Sequence, residues 1–115
     1  MHNFRNLEIW SESIEFASEI YEKTKTFPLD EKNGLIDQMR HSVVRISSHI
    51  AEGSSRESKK EFKQSIQSSM SAAFELFAQL EIANQLQLLT EKEKERLLSK
   101  LIALERKLAA FHKQL

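Results

Sequence analysis

Residues 90–115 read TEKEKERLLSKLIALERKLAAFHKQL. Leu97, Leu101, Leu104, Leu108, Phe111 and Leu115 recur at alternating steps of four and three, the period of a helix packed at a shallow angle. Just ahead of that stripe, Thr90-Glu91-Lys92-Glu93 has capping-box spacing. The threonine hydroxyl and the Glu93 carboxylate each satisfy a backbone N–H that a helix start leaves without a partner. The stretch therefore predicts a helix over 91–113.

The same pattern recurs upstream. Phe62, Ile66, Ser69, Ala73, Leu76, Leu80 and Ala83 form a stripe behind a second capping box, Ser58-Lys59-Lys60-Glu61, and predict a helix over 59–88. Ile36, Met39, Val43, Ile46 and Ile50 predict one over 31–53, with Asp30 as its cap and Gly53-Ser54-Ser55 as its stop. Leu7, Trp10, Ile14, Ala17, Tyr21 and Thr24, widened by Ile20 and Phe27, predict one over 6–26, ended by Phe27-Pro28. Strand alternation is absent over any useful length. With only two glycines and one proline, long helices go uninterrupted, since each breaker costs a helix interior about 1 to 3 kcal/mol. The connections are short, so neighbouring helices run antiparallel. The expected fold is all-α, an up-down-up-down four-helix bundle forming one domain over 1–115. Phe16 on the first helix, and Met70, Phe74 and Phe77 on the third, lie off the main stripes and supply either a wide core face or a partner surface.

Composition narrows the function. The chain has no cysteine, which excludes disulfides, thiolate zinc sites and cysteine nucleophiles. No apolar run approaches the ~18 residues of a membrane span. The start, Met1-His2-Asn3-Phe4-Arg5, lacks the apolar core of a signal peptide, so the cytoplasm is the expected location. Two glycines 19 positions apart build no phosphate loop. His2, His41, His49 and His112 form no His-x-x-x-His pair, and no Glu-x-x-His motif of diiron bundles occurs. No histidine neighbours the serines around Ser65, Ser68, Ser69 and Ser71, which read better as small residues that let helices approach. Trp10, Tyr21 and Phe27 read as core rather than as a ligand box. No enzyme, metal or cofactor is expected.

Formal net charge is zero but uneven: −4 over residues 1–39, +3 over 40–63 and +1 over 64–115. Arg45 and Arg56 on the second helix, with His41 and His49, continue into Lys59, Lys60 and Lys63 at the start of the third. Cations along one edge neutralise phosphates and release counterions, so these five residues are the candidate nucleic-acid contacts. The bland alternative is a solvated face with local pairs to Glu57 and Glu61. Arg40 neighbours the core stripe and is expected to meet a carboxylate between helices.

Leu35-x-x-Gln38-Met39-Arg40, Ile46-Ser47-Ser48-His49-Ile50-Ala51-Glu52-Gly53 and Ser58-Lys59-Lys60-Glu61-Phe62 resemble the signature of the four-helix-bundle proteins encoded in 23S ribosomal-RNA intervening sequences. Leu7-Glu8-Ile9-Trp10, Phe27-Pro28, Glu75-Leu76 and Gln79-Leu80 match as well, so the likeness covers nearly the whole chain. The resemblance implies a bacterial bundle protein related to the accessory variability determinant of diversity-generating retroelements. It implies a homo-oligomer, a pentamer, with RNA, DNA or a nucleic-acid enzyme such as a reverse transcriptase as partner. His41 stands where the family usually has a second basic residue, and Arg45-Ile46-Ser47-Ser48-His49 replaces a common serine-isoleucine-proline-serine-asparagine run. One arginine fewer and a zero net charge imply weak binding. A purely structural adaptor, docking a protein through an apolar surface, is the competing expectation.

Overall fold

The computed structural model describes residues 3–115, apart from the side chain of Asn33. Met1 and His2, which entered the readings of the start and of the histidines, lie outside the described residues. Four helices carry the chain: α1 (Glu8–Thr24), α2 (Asp37–Ser54), α3 (Lys59–Gln85) and α4 (Glu91–Gln114). Each packs on its sequence neighbours, and α4 closes against α1. Glu8 meets Lys107 and Glu19 meets Lys100 across α1 and α4. Arg45 meets Glu75 across α2 and α3, and Glu81 meets Lys94 across α3 and α4. Along each pair of neighbours the contacts run in opposite directions: α1 meets Lys107 from Glu8 and Lys100 from Glu19, and α2 meets Gln79 from Ser42, Glu75 from Arg45 and Ser69 from Ile46. The neighbours are antiparallel, and the bundle is up-down-up-down.

Helix ends follow local chemistry. Thr90 and Glu93 form the complete box: the Glu93 amide donates to the Thr90 hydroxyl at 3.1 Å, and the Thr90 amide donates to the Glu93 carboxylate at 2.9 Å. At Ser58 the hydroxyl accepts from the Glu61 amide, but the Glu61 carboxylate accepts from that same hydroxyl rather than from the backbone. The expected Asp30 cap is not used. Leu29–Glu31 is a 3-10 turn and Lys32–Ile36 a π turn bent at Gly34, so α2 begins at Asp37, and it is Glu31 whose carboxylate accepts from the Leu35 amide. The third helix stops three residues before the expected 88. Gln87 turns left-handed (φ 63°), and the Leu88 amide reaches back to the Ala83 carbonyl in a Schellman closure. A residue with a Cβ is strained there, so Gln87→Gly is expected to raise unfolding stability by about 0.5–1 kcal/mol in urea denaturation.

The core corrects the first stripe. On α1 the inward residues are Ile9, Ser13, Phe16, Ile20 and Thr24, continued by Phe27 beyond its end, while Ile14 and Tyr21 face solvent. Phe16 is thus core and not surplus surface. Two interleaved stripes share one period; the true one is disguised by Ser13 and ends on Thr24, which the expected stripe also carried. Both bury their hydroxyls by donating to their own helix, to the Trp10 and Ile20 carbonyls. The stripe of α3 is as expected, that of α2 is as expected from Met39 onward (Leu35 rather than Ile36 is buried ahead of it), and that of α4 is buried through Leu108.

Gly53 is not the C-terminal stop that its position suggested. It lies inside the last turn of α2, buried, where a Cβ would come 2.6 Å from Ser65 Cβ and 2.8 Å from Phe62 Cδ1. Those atoms sit close to the α3 backbone and cannot swing away. Gly53→Ala should therefore destabilise by about 1–3 kcal/mol despite alanine's better helix propensity. A melting temperature at or above the parent's would show that α3 gives way freely. Ser69 makes the other close contact, donating to the Ile46 carbonyl of α2 at 2.7 Å. Ser68 and Ser71 donate only within α3, so the serine patch divides between contact and solvent.

Candidate nucleic-acid interface

The five candidate cations divide into two groups. Arg45 donates to Glu75 of α3 at 2.6 Å, and Arg56 donates to Glu52 one turn back at 2.9 Å. The carboxylates are therefore Glu75 and Glu52, not the expected Glu57 and Glu61. Lys59, Lys60 and Lys63 lie on the first turns of α3. Lys59 and Lys60 are exposed, Lys63 is half-buried, and none has a carboxylate partner among the described residues. Helix α3 starts there because Ser58 caps it, and the helix N-terminus adds its own partial positive charge. Tertiary structure brings a further cation to this end of the bundle. Phe111 packs edge-on against Phe62 at 5.4 Å, which carries exposed Lys113 to the start of α3. The antiparallel return of α4 was the available signal for that neighbour.

Arg40 behaves otherwise than expected. Its guanidinium donates to the Thr24 hydroxyl (2.9 Å) and to the Tyr21 carbonyl (3.3 Å), and lies 4.5 Å from the centre of the Tyr21 ring. It closes the C-terminus of α1 and meets no carboxylate among the described residues. His49 sits 3.8 Å from the Glu52 carboxylate, and His41 is exposed. Among the described residues, no three histidine or acidic side chains gather as a metal site would require. No helix is long and apolar enough to cross a membrane.

The four long sides of the bundle are of two kinds. The α2/α3 side carries Arg45, Glu75, His49 and Arg56. The α4/α1 side is laced by ion pairs: Lys107 to Glu8 and Glu12, Arg96 and Lys100 to Glu19, and Lys23 to Glu93. The other two sides expose more apolar residues, alongside Arg40 on α1/α2 and the Glu81–Lys94 pair on α3/α4. Ile14 (43% exposed) and Val44 (41%) lie on the α1/α2 side beside Tyr21, whereas Phe74 (57%) and Ile102 (39%) lie on the α3/α4 side beside Phe77 and Leu98.

The α4/α1 lacing makes stability acid-sensitive. The hydrogen bond from Lys23, with those from Thr90, lowers the Glu93 carboxyl to about 2. Burial would raise Glu19, but the Lys100 and Arg96 hydrogen bonds outweigh it and hold it below 4.5; the Lys107 hydrogen bond lowers Glu8. A carboxyl lowered on folding stabilises above its unfolded value and loses that contribution as pH falls through its folded value. The unfolding midpoint should therefore stay level from pH 8 to about 5 and fall between about 4.5 and 2. A flat profile down to pH 2 would show that these pairs contribute nothing.

Fold and surface together define a helical-bundle protein with a cationic turn at the start of α3. The family model described as 23S rRNA-intervening sequence protein matches residues 5–110, and the chain belongs to that family. No curated protein matches it. Among solved structures it is similar to a protein of unknown function from the S23 ribosomal protein family of Bacteroides thetaiotaomicron, with 20% identity and a TM-score of 0.80. The match covers 91% of this chain and 98% of that one, and it shows the fold alone.

Proposed function

We propose that this chain is a non-catalytic scaffold that assembles with copies of itself and holds nucleic acid weakly, without sequence preference, at the first turns of α3. The observation that carries this reading is the set of unpaired ammonium groups on Lys59, Lys60 and Lys63. Unpaired cations exchange solution counterions for phosphates at no cost in broken pairs, and that exchange drives sequence-independent binding. Arg45 and Arg56 would have to leave Glu75 and Glu52 first, so they rank second. The family's link to 23S rRNA intervening sequences agrees with a nucleic-acid setting. Self-assembly is supported by the two more apolar sides, and the pentamer and a reverse-transcriptase partner by the resemblance alone. The exposed Phe74 also favours the adaptor reading, in which a foreign protein covers that side.

A salt titration tests the proposal, with labelled single-stranded RNA and DNA followed by anisotropy from 25 to 300 mM salt. Affinity should fall with a log–log slope of about −2 where one cluster of three lysines engages single strands. Undetectable binding near 50 mM, or binding indifferent to salt, would rule phosphate contacts out.

A further inference from the structure

The foot of the α2/α3 side, next to the lysine turn, is recessed. Ser65 and Ser68 are too small to fill the space between α3 and the longer side chains of His49 and Glu52 on α2 and of Arg56 just past its end. A groove of about 260 Å³ results, with Glu61 and Gln64 completing its α3 wall. That is just under the roughly 300 Å³ at which pockets for drug-sized ligands begin, so it suits one ring system and not a larger molecule. We infer that the groove seats one unpaired nucleobase and makes the lysine turn a site for single strands; this rests on the nucleic-acid reading above and specifies which form of nucleic acid is held.

Three observations point to a base as the occupant. The first is place. Lys60, Gln64 and Ser68 follow one another at steps of four and form one ridge along α3. The exposed Lys60 therefore stands one turn, about 5.4 Å along the axis, from the groove wall at Gln64. A phosphate held at Lys60 brings the base of the same nucleotide within reach of the groove.

The second is charge. The Glu52 carboxylate accepts from Arg56 at 2.9 Å, and the Glu61 carboxylate accepts from the Ser58 hydroxyl at 3.1 Å. Two carboxylates on the groove repel a phosphate but not a neutral base, so the backbone stays on the lysines and the base turns in. The third is unspent hydrogen bonding. The Gln64 amide and the Ser65 hydroxyl have no partner among the described residues, and His49 has only its 3.8 Å contact with Glu52. Amide, hydroxyl and imidazole groups each donate and accept, so together they can satisfy the edge of any base, and the imidazole offers a face for stacking. No base is preferred for that reason. Bases in a duplex are already paired edge to edge and enter such a groove only by unpairing.

The full chain is titrated by anisotropy near 50 mM salt with three labelled probes: a thymidine strand, an abasic strand of the same length and charge, and a duplex. The thymidine strand should bind about tenfold tighter than the abasic strand, the scale of one base contact. Gln64→Ala should bring that ratio below about threefold by weakening the thymidine strand alone, and His49→Ala should act in the same direction. Lys60→Glu should weaken all three probes. Gln64 is exposed and alanine favours a helix, so the first variant keeps the test open should His49→Ala fail to fold. Equal affinities of the parent for the thymidine and abasic strands, or a ratio that survives Gln64→Ala, would overturn the groove and leave the lysine contact standing. No detectable binding of any probe would overturn both.

Discussion

Phe62→Ala is expected to lower unfolding stability by about 3–5 kcal/mol, with a melting temperature lower by roughly 10–20 °C. Phe62 is 2% exposed, packs edge-on against Phe111 of α4, and lies under Gly53 of α2. Truncation would open a cavity where three helices meet, and none of them can close it alone: Gly53 has no side chain to fill it, and Phe111 would have to drag the end of α4 inward. Phe74→Ala is the control, twelve residues along the same helix. That ring is 57% exposed and touches mainly Phe77, so the dilute protomer should lose about 1 kcal/mol or less. Urea denaturation of both variants at one low protein concentration is the measurement. Equal losses would mean that the two rings have equivalent surroundings and that the bundle described here is wrong at its α2–α3–α4 corner.

Lys59→Glu with Lys60→Glu is expected to weaken nucleic-acid binding about a hundredfold at 50 mM salt, since each phosphate contact contributes roughly tenfold there through counterion release. The log–log salt slope should fall by the equivalent of two contacts. Helicity should not change, because both residues are exposed and make no ion pair among the described residues. Arg45→Glu should do less to affinity, since Arg45 already spends its charge on Glu75; it should instead cost stability by setting two carboxylates against each other. Should Arg45→Glu prove the more damaging to binding, the contact would lie on the α2/α3 side and not at the α3 turn. A chain that keeps a protein partner after the double reversal, and never held nucleic acid, would be the adaptor.

Much of the architecture could be read along the chain. Leucines at four-and-three spacing behind Thr90, and the stripe behind Ser58, specify the starts of α3 and α4 to the residue, because capping is local: the hydroxyl, the carboxylate and the amides they satisfy lie within four positions. The second helix was harder to begin. Asp30 has the chemistry of a cap, but the chain spends 29–36 in tighter and looser turns before α2 starts, and Glu31 takes the bond that Asp30 was expected to make. The five candidate cations were legible as positive charges, yet not as two classes. Whether an arginine is free depends on a carboxylate thirty residues away, as Glu75 is from Arg45.

By itself, then, the sequence determined the number of helices, their order and their short connections, since helix period, caps and breakers act over a few residues. Tertiary structure decided the phase of the first stripe, burying Phe16 and exposing Ile14. It decided the purpose of Gly53, which is a gap for Ser65 and Phe62, and the pairing that leaves only Lys59, Lys60 and Lys63 unclaimed among the candidate cations. The reason is common to all three. A period shows that a helix has an inward side, but which of two similar stripes turns inward depends on the volumes and charges of the helices packed against it, and those come from distant parts of the chain.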